Sequence, residues 1–141
     1  MTKVQMSTTL PVPAETVWAT IGNFNALADW HPGVAGSEQT TAKDGTTIRR
    51  LALKGGGTIV ERLERKSDTE RVYTYSIVES PLPVANYVAT LAVRGEGGNR
   101  CTVEWSSEFE PSGAPESQAE QVIRVIYEAG FKNLRAMFGG T

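Results

Sequence analysis

From Glu116 to about Phe138 the chain holds one uninterrupted helical pattern, while Val34 to Phe109 is written almost throughout in strand periodicity. This juxtaposition constrains the fold more than any other feature. On the helix, Val122, Ile123, Ile126, Tyr127, Phe131, Leu134 and Phe138 share one broad apolar face. Twenty-odd residues at 1.5 Å rise reach roughly 34 Å, enough to cross a whole sheet. Gly139-Gly140 ends the helix, and the loop Pro111-Ser112-Gly113-Ala114-Pro115 precedes it. The strand block is cut by Gly33, Lys43-Asp44-Gly45, Gly55-Gly56-Gly57, Lys66-Ser67-Asp68, Pro81-Leu82-Pro83 and Glu96-Gly97-Gly98-Asn99. Between these lie segments 35–42, 46–54, 58–66, 71–79, 86–94 and 100–110, each compatible with a half-buried antiparallel strand.

The N-terminal part adds one strand and two short helices. Residues 3–10 alternate Val4, Met6, Thr8 and Leu10 with polar neighbours until Pro11 and Pro13 stop them. Val17, Trp18 and Ile21 then fall at helical spacing over 14–21, and Gly22 ends that helix. Asn23 caps a second short helix from Phe24 to about Trp30, stopped by His31-Pro32-Gly33. The order strand, helix, helix, six strands, long helix predicts an α+β fold, with an antiparallel sheet of about seven strands curved around the C-terminal helix. A strongly curved sheet leaves a gap beneath that helix, where a ligand sits.

Composition narrows the function classes. The 141 residues suit one domain, 1–141, and surface scaling buries roughly 68% of the unfolded chain's surface on folding, enough for a core without staples. Lys+Arg 14 against Asp+Glu 16 leaves a net charge of −2, without the basic excess of a nucleic-acid surface. A lone cysteine, Cys101, gives no internal disulfide, and a single histidine, His31, gives no Cys/His metal cluster. No apolar run approaches the ~20 residues of a membrane span, and Met1 to Met6 lacks a signal-peptide pattern. The expectation is a cytoplasmic monomer or homodimer with no metal, no cofactor, no nucleic-acid partner and no membrane insertion.

Four groups of residues carry a resemblance over the whole chain: Val12-Pro13-Ala14-Glu15-Thr16-Val17-Trp18; Phe24-Asn25 to Trp30-His31-Pro32-Gly33-Val34; Tyr73-Thr74-Tyr75-Ser76-Ile77 with Pro81-Leu82-Pro83-Val84 and Tyr87; and Val103-Glu104-Trp105 to Phe109-Glu110. The sequence resembles the SRPBCC, or START–Bet v 1-like, helix-grip superfamily, and within it the bacterial polyketide cyclase/dehydrase-like proteins. The resemblance implies an internal cavity for hydrophobic or amphipathic molecules, lipids among them, under the C-terminal helix. Some members catalyse cyclisation or dehydration there, and fold alone does not decide between these.

Strand alternation assigns faces independently of that resemblance. Tyr73, Tyr75, Ile77 and Glu79 share one face; Tyr87, Ala89, Leu91 and Val93, and Val103, Trp105, Ser107 and Phe109, share theirs. With Gly55-Gly56-Gly57 as the loop, Leu53 opposes Ile59, Leu51 opposes Glu61 and Arg49 opposes Leu63, making Arg49 and Glu61 diagonal neighbours on the inward face. Such a pair either orients a ligand's polar group through the guanidinium fork or is a structural ion pair near the sheet edge. The expected ligand-binding set is Trp30, Arg49, Leu51, Glu61, Tyr73, Tyr75, Tyr87, Trp105, Tyr127, Phe131 and Leu134. Gly130, in the middle of the apolar helix face, makes room either for a ligand or ring or for close packing on a residue such as Trp105.

Catalytic candidates are sparse: Glu61, Arg49 and His31, the last with Asp29 two residues away as a partner carboxylate. The leading expectation is binding of a small hydrophobic or amphipathic molecule. The alternative is a polyketide cyclase, aromatase or dehydratase-like enzyme using Arg49, Glu61 and tyrosines to polarise a ketone and move a proton. A third reading is an interaction protein, with the apolar Pro81-Leu82-Pro83-Val84 loop as contact or lid. A filled core favours interaction; a cavity with one polar cluster favours binding or catalysis.

Overall fold

The inward alternation of Val4, Thr8 and Leu10 makes β1 (Thr2–Leu10) half-buried, as its spacing predicts. The computed structural model describes residues 1–139, so Gly140 of the expected helix stop lies outside the described residues. After the proline-rich break, α1 (Ala14–Ile21) buries Ala14, Val17, Trp18 and Ile21. The Trp18 ring folds back over Gly22, where a Cβ would stand 2.4 Å from its Cε2. Its indole N–H donates to Asp68 at 2.9 Å and ties α1 to a distant strand connection.

The expected second helix is divided. Asn23 accepts from the Asn25 N–H at 2.9 Å, as a cap does, but Phe24–Ala26 is a 3₁₀ turn and only Leu27–Trp30 (α2) is α-helical. The Phe24 carbonyl at the start of that turn accepts from Arg49 Nη1 at 2.6 Å. The turn is thereby tied to a buried guanidinium.

Six further strands follow: β2 (Val34–Thr41), β3 (Thr47–Leu53), β4 (Thr58–Ser67), β5 (Val72–Glu79), β6 (Val84–Gly95) and β7 (Cys101–Pro111). All pairs are antiparallel, in the order β1-β7-β6-β5-β4-β3-β2. Neighbours in sequence pair directly except at the start, where α1 and α2 carry the chain from one edge of the sheet to the other. Helix α3 (Glu116–Phe138) buries Ala119, Ile123, Tyr127, Gly130, Phe131 and Leu134. It ends at Gly139 in the left-handed region, whose N–H returns to the Arg135 carbonyl at 2.8 Å. This is the helix-grip α+β architecture expected from the sequence.

One register and one face assignment change. Leu51 lies opposite Ile59, and Arg49 directly opposite Glu61, so the β3–β4 register differs by two residues from the expected one. The turn has the expected length but sits one residue earlier, over 54–56 rather than 55–57: Leu53 N–H bonds the Gly57 carbonyl and Thr58 pairs with Ala52. Glu79 is exposed rather than inward, because a bulge at Val60/Glu61 inserts Val78 between the partners of those residues and flips the strand's parity. Further bulges lie in β2, at Leu63/Arg65 and at Ala85/Val88. Each increases local twist and bend, and together they wrap the sheet around α3.

Replacing Gly22 by alanine should cost roughly 1–3 kcal/mol through overpacking against the Trp18 ring. Urea unfolding of Gly22→Ala checks this; unchanged stability would mean that the ring moves aside freely.

Candidate ligand-binding cavity

The site begins with a charge in the core. Arg49 is fully buried and Glu61 is 5% exposed. From adjacent strands, Arg49 Nε donates to Glu61 Oε1 at 2.7 Å, and Nη2 lies 2.7 Å from the same oxygen as an ionic contact. Nη1 donates to the Phe24 carbonyl and, at 3.4 Å, to the Tyr73 hydroxyl. The guanidinium carbon also sits 4.0 Å from the Phe24 ring centroid and 4.9 Å from that of Tyr75, within cation–π range. Burial works against the guanidinium charge, but Glu61 and the tyrosine oxygens outweigh it and hold the Arg49 pKa up. Burial likewise raises the pKa of Glu61, opposed by Arg49. Since Arg49 stays protonated, a neutral Glu61 would leave a lone buried cation, and the stable arrangement is the ion pair.

Both guanidinium contacts converge on Oε1. Among the described residues Oε2 receives no hydrogen bond, and Glu61 forms part of the wall of a cavity of about 500 Å³ between the sheet and the N-terminal half of α3. The wall is mostly apolar, with Leu27, Val34, Leu51, Ile59, Ile77, Ile123 and Ile126. Its polar groups are few. Tyr75 accepts from Trp105 Nε1 at 3.0 Å, and the Tyr87 and Tyr127 hydroxyls bond each other. Burial pushes the hydroxyls of Tyr75, Tyr87 and Tyr127 above the usual phenol range, so all three stay neutral. The mouth is framed by Gly55 and Gly56 of the β3–β4 turn, Leu82 of the β5–β6 loop, and Gln118, Gln121 and Val125 of α3. Val125 is 56% exposed there.

The other half of α3 is packed shut. A Cβ on Gly130 would meet His31 Cδ2 and Trp30 Cζ3 at 3.0 Å and Trp105 Cζ3 at 3.1 Å. Glycine is therefore a close-packing device, the second of the two roles open from sequence. Next to it Trp105 stacks on Tyr127, with centroids 4.2 Å apart. His31 is buried with both ring nitrogens engaged: Nδ1 accepts from the Gly33 N–H at 3.0 Å and Nε2–H donates to the Ile126 carbonyl at 2.7 Å. Burial lowers its pKa, the Ile126 contact opposing. Asp29 is not its partner, and a neutral imidazole with both nitrogens committed is a brace between α2 and α3, not a free base. Asn133 strengthens the same joint by donating to the Trp30 carbonyl at 2.7 Å.

The expected ligand-binding set is thus divided. Leu51, Glu61, Tyr75, Tyr87, Trp105 and Tyr127 converge on the cavity. Trp30, Tyr73, Phe131 and Leu134 are buried in the core away from its wall, and Arg49 lies behind Glu61 rather than facing the space. Sequence reasoning missed Gln118 and Gln121. Their signal was helical spacing, since 118, 121, 122 and 125 continue the apolar stripe toward its N-terminal end.

The comparisons agree with this architecture. The chain belongs to the polyketide cyclase / dehydrase and lipid transport family, which matches residues 1–139. It is similar to the solved structure of the protein XoxI from Bacillus cereus, at 39% identity over 98% of this chain and 96% of that one, with a TM-score of 0.90. A putative uncharacterized protein from Bacillus thuringiensis is 38% identical over 97% and 98% of the two chains, with a TM-score of 0.89. The Zhui aromatase/cyclase from a Streptomyces shares the fold at 19% identity, covering 98% of this chain and 92% of that one, with a TM-score of 0.75. No curated protein matches the chain. Among the described residues no helix is long and apolar enough to cross a membrane.

Breaking the buried pair tests its part in the fold. Glu61→Leu alone should cost about 3–5 kcal/mol, and Arg49→Met with Glu61→Leu should recover most of that loss. Urea unfolding of the single and double variants measures both. The His31 brace carries a pH signature. Its folded pKa lies below the ordinary 6.5, so the unfolded chain binds the proton more readily and stability falls as pH drops below that value. The slope from this group reaches at most about 1.4 kcal/mol per pH unit. His31→Gln should flatten the stability profile between neutral and mildly acidic pH relative to the wild type.

Proposed function

We propose that the chain binds one small amphipathic molecule, its apolar body between the sheet and α3 and its polar end against Glu61 and the tyrosine hydroxyls. The carrying observation is the 500 Å³ apolar cavity with polar groups restricted to a few wall positions. That composition is the usual one for small-molecule sites, where apolar surface supplies affinity and a few polar atoms set orientation. A filled core, which an interaction protein would show, is not what lies beneath α3. The Pro81-Leu82-Pro83 segment borders the mouth through Leu82 and suits a rim that a ligand passes on entry.

A second reading, a cyclase or dehydratase-like reaction, is favoured by one observation. Glu61 is a carboxylate in an apolar wall that also holds tyrosine hydroxyls, and burial raises its proton affinity. Such a group is suited to taking a proton next to a carbonyl while a hydroxyl donates to the oxygen.

Native mass spectrometry of the purified protein tests the binding reading. A mass excess that disappears on denaturation, or uptake of the neutral dye Nile red that Val122→Trp abolishes, is expected. Neither retained molecule nor dye uptake would sink it. Glu61→Gln separates the two readings: it should leave binding of a neutral apolar probe within about tenfold, while any cyclisation or dehydration of a polyketide-like substrate is lost.

A further inference from the structure

The cavity wall contains an acceptor with no partner and no spare charge, and together these specify the chemistry of the occupant. We infer that the site selects a neutral molecule bearing a hydroxyl group, an alcohol or a phenol, and rejects both carboxylates and ammonium ions. The inference rests on the binding reading above and adds the class of ligand.

Glu61 is 5% exposed, and its Oε1 receives both Arg49 contacts, so Oε2 is the atom left to a ligand. A carboxylate oxygen only accepts, and leaving it without a donor costs about 1–3 kcal/mol or more for a charged group. The occupant that completes the wall therefore carries an O–H or N–H.

Charge decides the rest. Arg49 and Glu61 neutralise each other, and Arg49 is hidden behind Glu61 with Phe24, Tyr73 and Tyr75 around it. His31, the one wall residue with a basic nitrogen among the described residues, is neutral with both ring nitrogens engaged. A fatty acid's carboxylate would enter an apolar space beside a second carboxylate with no accessible cation. An ammonium ion would find a carboxylate whose charge is already matched, and it would lose its own hydration.

A hydroxyl meets neither obstacle. It can donate to Oε2 and accept from the tyrosine hydroxyls on the same wall, Tyr75, Tyr87 and Tyr127. An ether of the same shape can accept from a tyrosine but leaves Oε2 empty.

Calorimetric titration at pH 7.5 with para-octylphenol, dodecanol, para-octylanisole, dodecanoate and dodecylammonium tests this. Either hydroxyl compound should bind at least about tenfold more tightly than the anisole and than both ions; which of the two binds better reports whether the body preferred is aromatic or aliphatic. Equal affinity of phenol and anisole, or preference for dodecanoate or dodecylammonium, overturns the inference while leaving a ligand cavity in place. Failure of every probe, the anisole included, removes the cavity reading and this inference with it. Glu61→Gln gives an independent signature, because it strips Arg49 of its counter-ion: dodecanoate should gain at least about tenfold and overtake the phenol. The wild-type series decides the matter if that variant does not fold.

Discussion

The Arg49–Glu61 pair is the interaction on which the arrangement of the site depends. It joins β3 to β4 across the inward face of the sheet, and through the Phe24 carbonyl it joins both to the segment between the first two helices. Because the guanidinium cannot be neutralised, each group that touches it is held in place by the cost of leaving a buried charge unmatched. The Phe24 carbonyl in the 3₁₀ turn, the Phe24 and Tyr75 rings and the Glu61 carboxylate all meet that one group. The pair thus sets one oriented carboxylate oxygen into a mostly apolar wall.

The cavity itself is a consequence of curvature and of unequal filling. Bulges in β2, between β4 and β5, and between β6 and β7 bend the sheet, so a straight helix cannot touch all of it. At the C-terminal half of α3 the space is closed by Trp30, Trp105, Phe131 and Leu134, with Gly130 letting the rings approach the helix backbone. At the N-terminal half the helix offers Gln118, Gln121, Val122 and Val125, whose side chains leave the gap open.

Architecture was largely legible in the sequence, because alternation and one long amphipathic stripe leave few topologies. The boundaries of α1 and α3 agree with the structure, and strand ends differ by a residue or two. Local geometry was less legible. Three consecutive glycines allow several turns, and a choice differing by two residues preserves every inward and outward assignment, so alternation cannot detect it; Arg49 and Glu61 came out diagonal instead of opposed. A single inserted residue does reverse parity, which is why Glu79 points outward beyond the bulge. Nor does residue type tell which aromatic side chains fill space and which border it. Tyr73 and Tyr75 have the same chemistry and face, yet only Tyr75 reaches the cavity. His31 is a similar case: its location beside a helix end was readable, but its carbonyl partner on α3 depends on tertiary packing.

The position of β1 at one edge, paired only with β7, has a consequence for how the molecule comes into being. Thr9 and Thr102, which bond across this pairing, are 93 residues apart along the chain. During synthesis the first strand emerges with no partner and waits through the whole meander, while β2 to β6 zip up locally in the order they appear. Closure of such a distant pairing is slow relative to the hairpins. The last strand and helix therefore act as a clasp: until they arrive, the space beneath α3 does not exist, and the first strand is an unpaired edge open to other chains.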